Sequence, residues 1–194
     1  NIKTTAGNIS LTGSGAGGIY SYANLLAGNA ATPTSGGGIT VNATANSSSY
    51  GLEVTTSSLV SYGPISLTGT SAGAHGVIVH GANAKVQSAS GITINGAGTW
   101  GLTLYDNAII QSTGGNIGIT ANGTTGGLYI DSTIGHILAS NMTVAPTTAT
   151  PTAGGTLTIN ASTSSSGQGA LIYNGSLISY GAMSLTTRGR GGSQ

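Results

Sequence analysis

The sequence predicts an all-β fold, a right-handed parallel β-helix of about 26 residues per coil with three short strands in each coil. Three observations lead there. A short apolar–polar alternation recurs at a nearly fixed spacing. Two further apolar stretches, bounded by Gly, Asn and Ser, follow it in most units. Above both lies a longer period, a four-coil super-repeat of about 110–120 residues.

The first strand of the coil is the clearest element. It reads Ile9-Ser10-Leu11-Thr12, Ile39-Thr40-Val41-Asn42, Ile65-Ser66-Leu67-Thr68, Ile92-Thr93-Ile94-Asn95, Ile117-Gly118-Ile119-Thr120, Leu157-Thr158-Ile159-Asn160 and Met183-Ser184-Leu185-Thr186. The spacings are 30, 26, 27, 25, 40 and 26 residues. Period-two alternation is a strand signal with one apolar and one polar face. A single such coil cannot bury its apolar face, whereas stacked coils cover one another. At about 4.8 Å per coil, seven copies make a rod section roughly 30 Å long.

The second strand follows a glycine, as in Gly51-Leu52-Glu53-Val54, Gly76-Val77-Ile78-Val79, Gly101-Leu102-Thr103-Leu104 and Gly127-Leu128-Tyr129-Ile130. The third is an apolar pair before a serine: Leu59-Val60-Ser61, Ile109-Ile110-Gln111-Ser112 and Leu177-Ile178-Ser179. Gly, Asn and Ser between them suit sharp corners. No helical periodicity or capping pattern is present, so almost no α-helix is expected.

The longer period aligns residues 31–69 on 149–187 without gaps, with 20 of 39 positions identical. Both long spacings fall just before Ala31-Thr32-Pro33-Thr34 and its copy Ala149-Thr150-Pro151-Thr152. Pro supplies no amide donor, so loops leaving the rod are expected near 27–36 and 139–154, on one edge and four coils apart. Residues 1–194 read as one continuous β-helix segment. With no signal peptide and an opening on Asn1, they read as an interior fragment of a longer repetitive protein.

Composition excludes several functions. Only seven of 194 residues are charged, for a net charge of +1, and the four cations form no stripe. Nucleic-acid binding, which needs many phosphate contacts, is not expected. No apolar run is long enough to span a membrane. With no Cys, neither disulfides nor thiolate-bound metal hold the fold.

Units such as Asn107-Ala108-Ile109-Ile110-Gln111-Ser112-Thr113-Gly114-Gly115-Asn116-Ile117-Gly118-Ile119-Thr120 resemble the haemagglutinin-type β-helix repeats of large secreted bacterial adhesins. These include filamentous-haemagglutinin-like exoproteins and autotransporter passenger regions. The resemblance covers essentially the whole chain. It implies an extracellular or cell-surface location and a role in attachment, aggregation or biofilm. The partners it implies are other copies of the chain, in lateral or end-to-end filament contacts, or host and cell-surface glycans and proteins.

The residues themselves offer few chemical sites. Glu53, Asp106 and Asp131 are the only carboxylates and fall in three coils, two of them reading as solvated corner residues. His75, His80 and His136 read as surface polar residues rather than metal ligands. No catalytic residue, metal site or cofactor is expected. The aromatic set is the eight Tyr and Trp100. Some Tyr fall on odd strand positions beside apolar residues, which suits either outward-facing stacks that bind glycans or proteins or packing at the corners between coils. Seven Asn-X-Ser/Thr sequons, at Asn8, Asn42, Asn46, Asn122, Asn141, Asn160 and Asn174, are candidate glycosylation sites.

The outward residues of strand one form a surface ladder: Ser10, Thr12, Thr40, Asn42, Ser66, Thr68, Thr93, Asn95, Thr120, Thr158, Asn160, Ser184 and Thr186. Such an array has two readings. It is a stacked polar ladder bonded along the rod, or the regular hydroxyl surface of an ice-binding solenoid. The leading expectation is the structural and interaction shaft of an adhesin or filament, not an enzyme. An ice binder and a glycan-active β-helix enzyme are the alternatives.

Overall fold

In the computed structural model, which describes residues 1–28, 36–131, 135–142 and 151–189, the chain is a parallel β-solenoid of about six turns. Its described residues contain no α-helix. Seven first strands stack into one sheet: Ile9–Gly15, Ile39–Ala45, Ile65–Ser71, Ile92–Tyr105, Ile117–Asp131, Leu157–Thr163 and Met183–Arg188. Each runs beyond the four-residue sequence motif. In the fourth and fifth coils the first strand continues without a break into the second.

A second sheet collects Ile19–Ser21, Leu52–Thr55, Val77–His80, the distal halves of Ile92–Tyr105 and Ile117–Asp131, and Gln168–Ile172. The third sheet contains Ile2–Thr4, Leu25–Ala27, Ser58–Ser61, Lys85–Ser88, Ile109–Ser112, His136–Ala139 and Ser176–Ser179. All the strand pairings are parallel.

Register explains the repeat. Ile9, Ile39, Ile65, Ile92, Ile117, Leu157 and Met183 are aligned strand to strand. So are Leu11, Val41, Leu67, Ile94, Ile119, Ile159 and Leu185. Between the end coils these columns are buried. From the other two sheets Leu52, Val77, Leu102 and Leu128, and Leu59, Val86, Ile110 and Ile137, complete the core.

One polar column also faces inward. Ser61, Ser88 and Ser112 are buried at the end of the third strand. Ser61 Oγ donates to the Gly37 carbonyl at 2.6 Å, and Ser88 Oγ donates to the Gly63 carbonyl at 2.8 Å. Each hydroxyl satisfies a corner of the coil below, which burial without a partner would penalise.

The two expected excursions lie partly outside the described residues, at 29–35 and 143–150. Their necks occupy the same corner. Gly28 has φ +133, and a Cβ there would stand 2.1 Å from the Tyr62 ring, so both backbone conformation and space require glycine. Four coils on, Ser140 and Gly154 form an antiparallel bridge, and Asn141 bonds Thr152 and Ala153. Asn8 and Asn116 repeat the same device in the two super-repeats, accepting from the Gly38 and Thr156 amides at 2.8 and 2.9 Å.

Adjacent residues on one strand should therefore differ sharply in cost. Ile94→Ala is expected to lose about 2–5 kcal/mol in denaturant unfolding, while Thr93→Ala stays within about 0.5 kcal/mol. Equal losses would contradict the register.

Candidate functional site

The strand-one ladder is in register as the sequence implies. Ser10, Thr40, Ser66, Thr93, Gly118, Thr158 and Ser184 form one outward file, and Thr12, Asn42, Thr68, Asn95, Thr120, Asn160 and Thr186 the next. The second file alternates Thr and Asn coil by coil. The expected bonding along the stack is not found. Among the described residues, none of the thirteen ladder side chains makes a hydrogen bond within the chain. These two files of side chains are left facing outward without partners in the neighbouring coils. In a third file, Ser162 Oγ does donate to Asn122 Oδ1 at 2.7 Å.

All seven sequon asparagines are exposed. Three have their amide oxygen committed: Asn8 to Gly38, Asn122 to Ser162, and Asn141 to Thr152 and Ala153. Asn42, Asn46, Asn160 and Asn174 carry no such bond.

The second sheet gathers the chemistry that the sequence appears to scatter. All three carboxylates, two of the three histidines, Trp100 and six tyrosines lie on its outer side or at its corners. Register explains the gathering. Tyr20 pairs with Glu53, Glu53 with Ile78, Ile78 with Thr103, and Thr103 with Tyr129. Tyr105 pairs with Asp131. Residues about one coil apart in sequence thus become neighbours.

The aromatic rings form a chain along the rod. Tyr50 meets His75 edge-on at 5.4 Å, His75 lies 6.5 Å from Tyr105, and Tyr105 meets Tyr129 at 5.5 Å. Tyr129 continues to Tyr173 at 6.2 Å and touches Trp100 at 4.9 Å. Beneath them Ile78 and Thr103 are buried although they point outward.

Polar groups are interleaved with the rings. His80 Nε2 bonds Glu53 Oε1 at 2.7 Å, an ion pair whenever His80 is protonated. The Glu53 carboxylate is buried. His75 Nδ1 is hydrogen-bonded to Thr103 Oγ1 at 2.6 Å. Burial, and secondarily the charge of His80, hold the His75 pKa below its ordinary value. The Tyr129 hydroxyl donates to Asp131 Oδ2 at 2.8 Å. That bond, followed by desolvation and the Asp131 charge, pushes the Tyr129 pKa up to about 12.

His136 departs from the surface reading. It is buried in the third sheet, and neither ring nitrogen has a partner. Burial depresses its pKa. Nearby, Gln111 Nε2 donates to the Ser140 and Met142 carbonyls, so these residues lie over Gln111 on the same outer face. Asp106 and Asp131 are exposed corner residues, as read from the sequence. Glu53 and Asp131 lie three coils apart, about 14 Å at the strand spacing. That separation exceeds what the paired carboxylates of a glycosidase use. Among the described residues no three His, Asp or Glu converge as metal ligands, and no helix is long and apolar enough to cross a membrane.

With the site defined, the chain was compared with known proteins: no family model, curated protein or solved structure matches it.

The Tyr129–Asp131 bond has a measurable consequence. A tyrosine pKa raised in the fold means the native state holds its proton longer than the unfolded chain. The bond's contribution is whole below about pH 10 and is lost between about pH 10 and 12. Phenolate absorbance should therefore show a phenol titrating late in the native protein. Asp131→Asn should move it down toward the ordinary value, and an unchanged titration curve would contradict the assignment.

Proposed function

We propose that this chain is a section of the shaft of a bacterial extracellular adhesin or filament, a structural and interaction element rather than an enzyme. The observation that carries the reading is the two-level repetition of a nearly uncharged β-solenoid, with its carboxylates and most of its rings on one long face. Duplicating blocks of four coils lengthens such a rod without any new folding problem, because each coil needs only its neighbours. The weak charge supports side-by-side or end-to-end association, since little repulsion opposes it. Glu53 stands apart from the other carboxylates, and Asp106 and Asp131, although on neighbouring coils, are exposed corner residues, which gives little support to hydrolysis through a pair.

The unbonded Thr, Ser and Asn ladder keeps one second reading, an ice-binding surface. Its alternation of Thr with Asn, interrupted by Ser and Gly118, departs from the uniform hydroxyl array such a surface favours.

Electron microscopy of the native, full-length product should show thin rods with coils stacked at about 4.8 Å along the axis. Cells lacking the repeat region should lose attachment or biofilm. Compact particles, or release of reducing ends from a glycan panel, would overturn the shaft reading in favour of an enzyme. Thermal hysteresis would overturn it in favour of ice binding.

A further inference from the structure

We infer that the outer face of the second sheet is a binding groove for a neutral polysaccharide lying along the rod. The proposal deepens the shaft reading by naming a partner, and rests on it only for the extracellular location.

Three features of the face define the ligand. The first is the ring row. Every coil from the first to the sixth contributes an aromatic or imidazole ring, through Tyr20, Tyr50, His75, Trp100, Tyr129 and Tyr173 in turn. The rings fall in three neighbouring columns, with Tyr50, His75 and Trp100 in one, Tyr20 and Tyr129 in the next and Tyr173 in a third. They form a staggered band whose successive coils stand about 4.8 Å apart, close to the advance per residue of an extended hexose chain. Tyr20 is 42% and Tyr173 62% exposed, so the row stays open at both ends. Apolar sugar faces stack on such rings.

The second feature is a groove of about 480 Å³ running past Tyr20, Tyr50 and His75, with Ser48 and Thr99 on its walls. Thr103 holds His75 through Nδ1, which leaves Nε2 without a protein partner and able to bond a sugar hydroxyl. Farther along, the Trp100 indole lies across Gly126 of the next coil, where a Cβ would stand 2.1 Å from the ring. The absent side chain at Gly126 lets the indole span two coils instead of standing away from the rod.

Charge is the third. The face carries all three carboxylates and, among the described residues, no lysine or arginine: Lys3 and Lys85 lie in the third sheet and Arg188 in the first. Carboxylates accept bonds from sugar hydroxyls but repel uronates and sulfates. The occupant is therefore a neutral or N-acetylated glycan rather than an acidic one. The two super-repeats agree with a specialised face. Strand-one ladder positions recur nearly unchanged between them, whereas Glu53 and Tyr50 become Leu171 and Gln168.

Trp100 is the only tryptophan, so its fluorescence reports on the groove directly. The intact chain should be titrated with cello-, laminari- and chito-oligosaccharides of increasing length, and with oligogalacturonate. A saturable change is expected with at least one neutral series, strengthening with length and absent for its monosaccharide. By calorimetry, Trp100→Ala and the double variant Tyr20→Ala/Tyr173→Ala should each weaken binding about tenfold or more. The double variant removes exposed rings and leaves the core intact. Tyr180→Ala, at another corner, should bind as the parent does. No saturable response, equal binding by the double variant, or preference for oligogalacturonate would overturn the groove. Failure of the groove with rods intact in the microscope would leave the shaft standing, whereas compact particles would remove the shaft whatever the glycans do.

Discussion

Everything in this molecule follows from stacking like on like, in register, at about 4.8 Å. Each position of the coil becomes a column, and a column must tolerate its own residue repeated above and below. Apolar columns gain from this, since Ile65, Ile92 and Ile117 pack side chain to side chain. Charged columns lose. Two like charges at that spacing repel by about 1 kcal/mol even in water. The scarcity of charge and the abundance of Ser, Thr and Asn are what this geometry selects. The few carboxylates stand singly among rings, hydroxyls and a histidine.

The three faces then diverge in character. The first sheet is regular, open and hydrated, and its ladder repeats from one block of coils to the next. The third buries His136 and Gln111 on its outer side, and Ser140 and Met142 lie over Gln111 there. The second carries nearly all the variation. Here Glu53 meets His80, His75 meets Thr103, and Tyr129 meets Asp131. A rod built this way separates its two tasks: the inward columns hold it, and one outward face is free to change.

The first strand was fully legible in the sequence because its alternation is strict and both faces are pure. Other elements hide for identifiable reasons. Lys85–Ser88 turns Val86 and a serine, Ser88, inward, so no apolar pair marks it. His136–Ala139 places Ile137 and Leu138 on opposite faces, and its last residue falls where the sequence predicts an excursion to begin. Ile19–Ser21 is short, and both it and Gln168–Ile172 sit near the ends of the stack. Outward Tyr were readable, but their gathering on one face was not, because rings that touch are 24 or more residues apart and a register shift between Gly98 and Trp100 offsets the columns. A usable signal was present all the same. In a coil of about 26 residues, Glu53 and His80 at 27 apart, or His75 and Thr103 at 28, are neighbours by arithmetic.

The absence of cysteine from the sequence makes the stacking register directly testable with engineered disulfides. Ser66 and Thr93 are register partners on the exposed ladder, at a Cα spacing of about 4.8 Å that suits a disulfide. Asn95 is one outward step farther along, at a diagonal distance of about 7–8 Å that does not. Ser66→Cys/Thr93→Cys should oxidise readily to an intramolecular bridge in the folded protein, and Ser66→Cys/Asn95→Cys should stay reduced under the same conditions. Equal oxidation of the two pairs, or a bridge in the second alone, would contradict the in-register stack on which the account depends.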